Sequence, residues 1–253
     1  ITNIEAVKFY ANFADVMVTA RELSLEQVGK IIDQIKAENI CGPSGRLVQI
    51  EIFVHGALCM AVSGKCYISL DNFGYSANRG ACLQPCRRAY HVSDYDNETE
   101  LMVDNKYIMS PKDLCTIGFV DKIIKAGVSV FKIEGRGRSA EYVKTVTECY
   151  RDAANSVLEG TYTTEKIEKW MQNLSKVYNR GFSSGFYFGT PGKKDMSRAL
   201  GHTHEKIYLG EVKRFYKNLS VADIRVQNGT LKQGDILLFI GRNTPALEAE
   251  ACE

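Results

Sequence analysis

The chain has 253 residues, of which 45% are hydrophobic and 25% are charged. These values are typical of a globular protein and exclude a disordered chain, a collagen-like repeat and a coiled coil. A formal charge of +2 predicts neither a nucleic acid nor an acidic partner by itself. No run approaches 18 apolar residues and no signal-peptide pattern is present, so we expect a cytoplasmic protein without membrane spans.

The first part of the chain alternates strands and helices. Residues 15–20 predict a short buried strand, Ser24 and Gln27 form a capping box that opens a helix, and residues 47–54 predict a second strand. This order predicts a parallel crossover. After a cysteine-rich insert at about 55–115, closed by a predicted hairpin with residues 104–106 at its tip, the alternation resumes. The further predicted elements are a helix at 119–124, a strand at 128–133, a helix at 139–158 and a helix from 163 or 164 to about 176.

The pattern changes after residue 177. A Gly- and aromatic-rich segment with a polar linker spans 178–204, and residues 205–253 show only β-type patterns around an Asn228-Gly229 turn. We therefore predict an α/β protein: the C-terminal half of a (β/α) TIM-like barrel over 1–177, followed by a small, truncated all-β barrel over 205–253. The parallel strands are too few to close an eight-stranded barrel, so we expect an N-terminal half of the same chain before Ile1.

Five of the eight cysteines crowd into one region of the chain. They are Cys59, Cys66, Cys82, Cys86 and Cys115. Structural zinc sites take close pairs of thiolates, and only Cys82 and Cys86 have such a spacing. An iron-sulfur cluster accepts thiolates from distant loops and is the favoured interpretation, with zinc or metal-free thiols as alternatives.

Charged side chains and a histidine near the predicted strand ends are candidate catalytic and substrate-binding groups. The catalytic candidates are His55, Glu51 and Glu134, and the candidates for binding a small dicarboxylate or an RNA phosphate are Arg79, Arg87, Lys132 and Arg136. A buried carboxylate is costly unless it is paired or functional. A structural ion-pair network, and a histidine satisfied by a backbone carbonyl, are the alternatives.

Residues 178–217 carry eight basic and three acidic side chains, a local charge of +5. Aromatic side chains alternate with this charge, as they do on surfaces that stack single-stranded bases. These aromatics are Phe182, Phe186, Tyr187, Phe188, Phe215 and Tyr216. The segment favours RNA as a partner, against the alternative of an aromatic core under a solvated basic face.

Several motifs together carry a family resemblance that covers nearly the whole chain. They are the segments 51–60, 63–66, 78–86, 132–136, 179–182 and 185–187. The chain resembles the collagenase-like peptidase family of unknown catalytic type, the thirty-second of that class, and within it the transfer-RNA hydroxylation subgroup that carries a C-terminal β-barrel. The resemblance implies a barrel-type catalytic domain whose first half precedes residue 1.

The resemblance also implies a cofactor and a reaction. Several relatives are oxygen-independent hydroxylases with a 4Fe-4S cluster that act on the transfer-RNA wobble uridine, on ribosomal RNA or on a ubiquinone precursor, and prephenate is associated with the transfer-RNA branch as a donor. Ligand positions in the ubiquinone relatives match Cys59, Cys66, Cys82 and Cys115, with Cys86 as an alternate.

Three functions follow as hypotheses. The first is an iron-sulfur enzyme that hydroxylates the wobble uridine of transfer RNA. The second is a peptidase, for which the sequence has neither a His-Glu-x-x-His nor a Gly-x-Ser-x-Gly motif, so that hydrolysis depends on the resemblance alone. The third is a non-catalytic scaffold stabilised by a metal.

Overall fold

The computed structural model describes residues 1–88, 92–93, 100–101, 110–197, 203, 206–241 and 246–252. The helices are α1 (Ile4–Tyr10), α2 (Leu25–Ala37), α3 (Tyr67–Phe73), α4 (Val120–Lys125), α5 (Ala140–Leu158) and α6 (Thr164–Lys176). The strands are β1 (Val16–Val18), β2 (Gln49–Gly56), β3 (Val92–Ser93), β4 (Glu100–Leu101), β5 (Asp113–Cys115), β6 (Val130–Ile133), β7 (Phe182–Ser183), β8 (Gly210–Tyr216), β9 (Val221–Val226), β10 (Ile236–Phe239) and β11 (Leu247–Glu250). The predicted hairpin tip at residues 104–106 lies outside the described residues.

A five-stranded mixed sheet organises the first part of the chain, with β2 at its centre. Strands β1 and β6 pair with β2 in parallel, β5 pairs antiparallel with the carboxyl end of β2, and β7 pairs in parallel with β5. The predicted α/β class and the predicted parallel crossover between β1 and β2 are therefore confirmed. Among the described residues the sheet is open and does not close into a barrel.

Local sequence explains why the predicted helices form. The side chain of Ser24 caps α2 and the Gln27 side chain bonds back to the Ser24 amide, which satisfies two donors at the helix start. The apolar face of α2 is buried against the sheet and consists of Val28, Ile31, Ile32 and Ile35. Ser139 caps α5 and Thr163 caps α6 in the same way, and both helices contribute buried side chains to the core.

The C-terminal region is β-structured, as the sequence predicts, but it consists of two separate hairpins in the described residues. Strand β8 pairs with β9, and β10 pairs with β11. Of these four strands, the sequence did not predict β11. Most residues of these four strands are exposed or only half-buried.

No helix among the described residues is both long enough and apolar enough to span a membrane.

Candidate functional site

The carboxyl end of β2 positions the predicted catalytic histidine in the protein core. His55 is 1% exposed, and its Nδ1 atom lies 3.3 Å from the hydroxyl of Tyr150 on α5. That hydroxyl donates its proton to the Val54 carbonyl at 2.8 Å and accepts the Thr116 amide at 2.8 Å. The tautomer of His55 decides which of the two groups donates in the contact between Nδ1 and the Tyr150 hydroxyl.

The environment of His55 holds the imidazole neutral. Burial, with a smaller contribution from the positive charge of Arg138, lowers the pKa of His55 to about 3. At pH 7 the ring is therefore neutral and not a cation.

The two predicted catalytic carboxylates are both paired with cations. Glu51 on β2 lies 2.5 Å from the Nζ atom of Lys132 on the neighbouring strand β6. Glu134 follows β6, forms an ion pair with Arg21 at 3.5 Å and accepts the Arg136 amide at 2.9 Å. Both carboxylates therefore form ion pairs, as the alternative of a structural ion-pair network predicts.

Arg21 is a member of this site that the sequence reasoning missed. It lies shortly after β1, hydrogen-bonds the Ala57 carbonyl, and stacks its guanidinium 3.6 Å from the ring centroid of Phe53. Burial lowers the pKa of Arg21, and the charge of Glu134 partly offsets that effect. Its place after a parallel strand is the signal that could have identified it, since such ends form sites in α/β folds.

Four of the five predicted cluster thiols lie in one electrostatic neighbourhood. Cys59 follows β2, Cys66 precedes α3, Cys82 follows a 3₁₀ turn at Ala77–Arg79, and Cys86 lies within a second turn, Pro85–Arg87. Burial raises the pKa of Cys86, the nearby Arg87 lowers it, and the charges of the other three thiols raise it further. That these thiols hold a common metal or cluster stays a prediction.

Backbone amides point at two of these sulfurs. The Ala61 amide donates to the Cys59 sulfur and the Gln84 amide donates to the Cys82 sulfur, each at 3.4 Å. Both thiols are exposed. Amide hydrogen bonds of this kind orient a cysteine sulfur and would tune a metal bound to it.

Cys115, the predicted fourth ligand, lies elsewhere in the core. It is buried on β5, with its sulfur 3.8 Å from the Tyr150 hydroxyl and 3.9 Å from the Met171 sulfur. Burial raises the pKa of Cys115 to about 11, so the thiol is protonated at pH 7. Its role as a ligand stays a prediction.

A buried acid next to Cys115 also escaped the sequence reasoning. Asp113 forms ion pairs with Arg138 at 3.4 Å and Arg180 at 3.2 Å, and its side chain is 1% exposed.

Of the predicted substrate-binding cations, Arg87 hydrogen-bonds the Leu58 carbonyl at 3.2 Å, whereas Arg79 and Arg136 are exposed. The structure thus brings Arg87 to the thiols and places Lys132 and Arg136 with the paired carboxylates.

Comparison with protein-family models decides the family. The model described as Peptidase family U32 matches residues 1–197, most of the chain. The chain belongs to peptidase family U32. This confirms the resemblance on which the sequence interpretation drew.

Curated relatives within the U32 family have names of two kinds. A collagenase of Porphyromonas gingivalis is 51% identical over 96% of this chain and 59% of its own length. The tRNA hydroxylation protein P1 of Bacillus subtilis is 30% identical over 95% of this chain and 56% of its own length. The 23S rRNA 5-hydroxycytidine synthase of Escherichia coli is 32% identical over 86% of this chain and 32% of its own length.

The U32 chain therefore spans less than two thirds of the length of these relatives. No solved structure matches it.

Proposed function

We propose that this U32 chain is part of an iron-sulfur enzyme that hydroxylates RNA, with the wobble uridine of transfer RNA as the target. The observation that carries the proposal is the shared neighbourhood of Cys59, Cys66, Cys82 and Cys86. Relatives named for tRNA hydroxylation and for 5-hydroxycytidine synthesis in ribosomal RNA support the RNA substrate. The reaction would take place in a cytoplasmic protein whose catalytic domain is the partial barrel that the resemblance implies.

The proposed cluster is supported by the chemistry of four nearby thiols and by the family resemblance, not by a preformed metal site among the residues that the structure describes. No group of three or more His, Cys, Asp or Glu side chains in the described ranges is arranged to hold a metal ion. Thiols on four separate turns, two of them with amide donors, suit the larger 4Fe-4S cluster. We infer that Cys59, Cys66, Cys82 and Cys86 would hold it, and a bound cluster would supply one-electron redox chemistry.

The chain's own histidine at the end of β2 would act as a neutral hydrogen-bonding group. Burial lowers the pKa of His55 to about 3, so it would orient its neighbours and would not take up a proton at pH 7. The oxygen atom would come from a small-molecule donor, for which the family resemblance suggests prephenate.

The hairpin of β8 and β9 supports RNA binding. Tyr208, Phe215 and Tyr216 are 60%, 57% and 40% exposed, and the Arg214 guanidinium lies 4.9 Å from the ring centroid of Tyr216. Exposed rings beside cations are what base stacking requires. Tyr187, by contrast, is buried and hydrogen-bonds the Phe53 carbonyl, so it belongs to the core.

A peptidase is the second candidate, because a relative with 51% identity has the name collagenase. The described geometry offers this activity little support. His55 contacts the Tyr150 hydroxyl, and the thiol beside that hydroxyl belongs to Cys115. Because burial raises the pKa of Cys115 to about 11, this thiol is protonated at pH 7. His55 and Cys115 therefore do not form an activated nucleophile and base.

Anaerobic purification of the whole protein, followed by iron and sulfide analysis and an absorption spectrum, tests the cluster. We expect Cys59→Ser, Cys66→Ser, Cys82→Ser and Cys86→Ser each to lose iron, while Cys252→Ser, the matched control at an exposed thiol, retains it. Iron loss in Cys115→Ser with retention in Cys86→Ser would instead establish the ligand set that the resemblance implies. A colourless protein without iron would refute the cluster.

The reaction is tested by nucleoside mass spectrometry of transfer RNA incubated with the iron-loaded protein. We expect 5-hydroxyuridine to appear with the wild-type and Cys252→Ser proteins and not with Cys59→Ser. Cleavage of denatured collagen by an iron-free Cys59→Ser protein would favour the peptidase.

A further inference from the structure

Three half-buried arginines gather near Asp113 at the start of β5. We define the arginine cluster as Arg87, Arg138, Arg180 and the carboxylate of Asp113. The side chains of Arg138 and Arg180 are 11% and 13% exposed, and each contacts a different oxygen of Asp113. Asp113 pairs with two of the three guanidiniums, and Arg87 has no carboxylate partner among the described residues, so the cluster has an excess of positive charge.

Arg87 connects this cluster with the cysteine-rich insert. Its Nη2 atom donates to the Leu58 carbonyl, and Leu58 packs beside Leu114, the residue after Asp113, around Gly185. Burial lowers the pKa of Arg180, and the charge of Arg87 is the next largest cause. Arg87 and Arg180 therefore repel each other across a region with little water to screen them.

The Nη1 atom of Arg87 is buried and has no hydrogen-bond partner in the described part of the chain. A buried donor on a charged group is costly unless something accepts its proton. The group that would relieve both this cost and the repulsion is an anion with several acceptor oxygens.

A tyrosine holds two of the arginines in place. The guanidiniums of Arg138 and Arg180 lie 4.3 Å and 4.9 Å from the ring centroid of Tyr178. Stacking of this kind fixes the planar fork of an arginine, which matches carboxylate and phosphate oxygens two at a time. The cluster is thus organised before any anion arrives.

We propose that the arginine cluster binds the carboxylate or phosphate group of a small molecule, with Arg87 as the principal contact. The burial of Arg138 and Arg180 favours a compact ligand over the backbone of a nucleic acid. The inference deepens the proposed function, since the proposed donor is itself a carboxylate, but its test is separate because binding of an anion requires neither iron nor RNA. Failure of the hydroxylation assay would leave it standing.

The test measures binding of inorganic phosphate and of malonate to the anaerobically purified whole protein, by calorimetry at constant ionic strength. The variant is Arg87→Gln. The matched control is Arg88→Gln, which removes the same charge from the next residue, an exposed arginine that stacks on Phe73. A second variant, Asp113→Asn, removes the carboxylate that competes with the ligand.

We expect saturable binding of at least one anion. Arg87→Gln should weaken it roughly tenfold or more, as loss of a charge-assisted contact does, and Arg88→Gln should leave it unchanged. Folded Asp113→Asn should bind the anion more tightly than the wild type. Equal weakening by Arg87→Gln and Arg88→Gln, or no saturable binding, would overturn the proposal. The proposal would also be overturned if Arg87→Gln weakened only the binding of a single-stranded RNA oligonucleotide and left anion binding unchanged. The cluster would then contact the RNA backbone.

Discussion

His55 and Tyr150 meet in the core, with Nδ1 of the imidazole 3.3 Å from the tyrosine hydroxyl. They lie 95 residues apart in the sequence, on β2 and α5. The Tyr150 hydroxyl also joins the Val54 carbonyl to the Thr116 amide, so one atom links a strand, a turn and a helix. The position of His55 depends on this hydroxyl.

Replacement of Tyr150 by Phe should destabilise the protein by about 1–2 kcal/mol, because it removes the buried hydroxyl that contacts His55, Val54 and Thr116, while the Thr116 amide keeps its own hydrogen bond to the Val54 carbonyl. Tyr142→Phe is the matched control: its hydroxyl is buried and has no hydrogen-bond partner in the described residues, so its removal should change the free energy of unfolding by less than about 0.5 kcal/mol or stabilise the chain. Urea denaturation of both variants measures the difference. Equal costs would show that the Tyr150 contacts contribute nothing specific.

The pH dependence of stability should reveal His55. Its pKa is about 3 in the folded state, against 6.5 for an ordinary histidine. Above pH 6.5 the His55 imidazole is neutral in both the folded and the unfolded chain. Between pH 6.5 and 3 it binds a proton only in the unfolded chain. Stability is therefore lost as the pH falls through this window, by at most about 1.4 kcal/mol per pH unit.

The measurement is the free energy of unfolding from pH 7.5 to 4.5 for the wild type and for His55→Gln. Carboxylates and the other histidines titrate in both proteins, so the difference between the two curves reports His55. We expect that difference to shrink as the pH falls. Parallel curves would contradict the buried, neutral imidazole.

Gly56 should not tolerate a side chain. Its φ is +115°, and a Cβ atom there would lie 2.7 Å from the Glu134 carbonyl oxygen and 2.8 Å from the Glu134 Cβ. Gly56→Ala should therefore cost more than about 2 kcal/mol, since the backbone must shift. Gly74→Ala, at φ +65° with open space around it, should cost only about 1 kcal/mol. Thermal unfolding of the two variants compares them.

Asp113 should be more important for stability than Glu51, although both form ion pairs. Asp113→Ala leaves the buried guanidiniums of Arg138 and Arg180 without their carboxylate, which should cost about 3–5 kcal/mol. Glu51→Ala removes a pair whose Lys132 side chain is 41% exposed, and should cost at most about 1 kcal/mol. Similar costs in denaturant titrations would contradict this difference in burial.

Local signals explain which parts of the fold could be predicted from the sequence. The capping residues Ser24, Ser139 and Thr163 act within one helical turn, so the sequence alone predicts α2, α5 and α6 to within a residue or two. Strand β11 was missed because its alternation, in Leu247–Glu250, is too short to stand out.

The candidate site could be predicted only in part, because its contacts are not local. Asp113 meets Arg180 across 67 residues, and no spacing rule indicates such a pair. The crowding of cysteines led to the prediction of a shared site, but spacing could not show that the charge of Cys59 acts on Cys86 while Cys115 lies beside Tyr150 and Met171.

The separation of the thiols from the core has a consequence for how the protein matures. No residue from 59 to 113 belongs to the buried apolar cluster formed by the described residues, which draws instead on the sheet and the helices packed on it. The buried apolar contacts of the sheet and its helices therefore do not depend on the insert, and this core would fold before the proposed cluster is assembled. Assembly of a cluster on exposed Cys59 and Cys82 would be a late, separable event, and an oxidant that strips the metal would leave a folded protein ready to be reloaded.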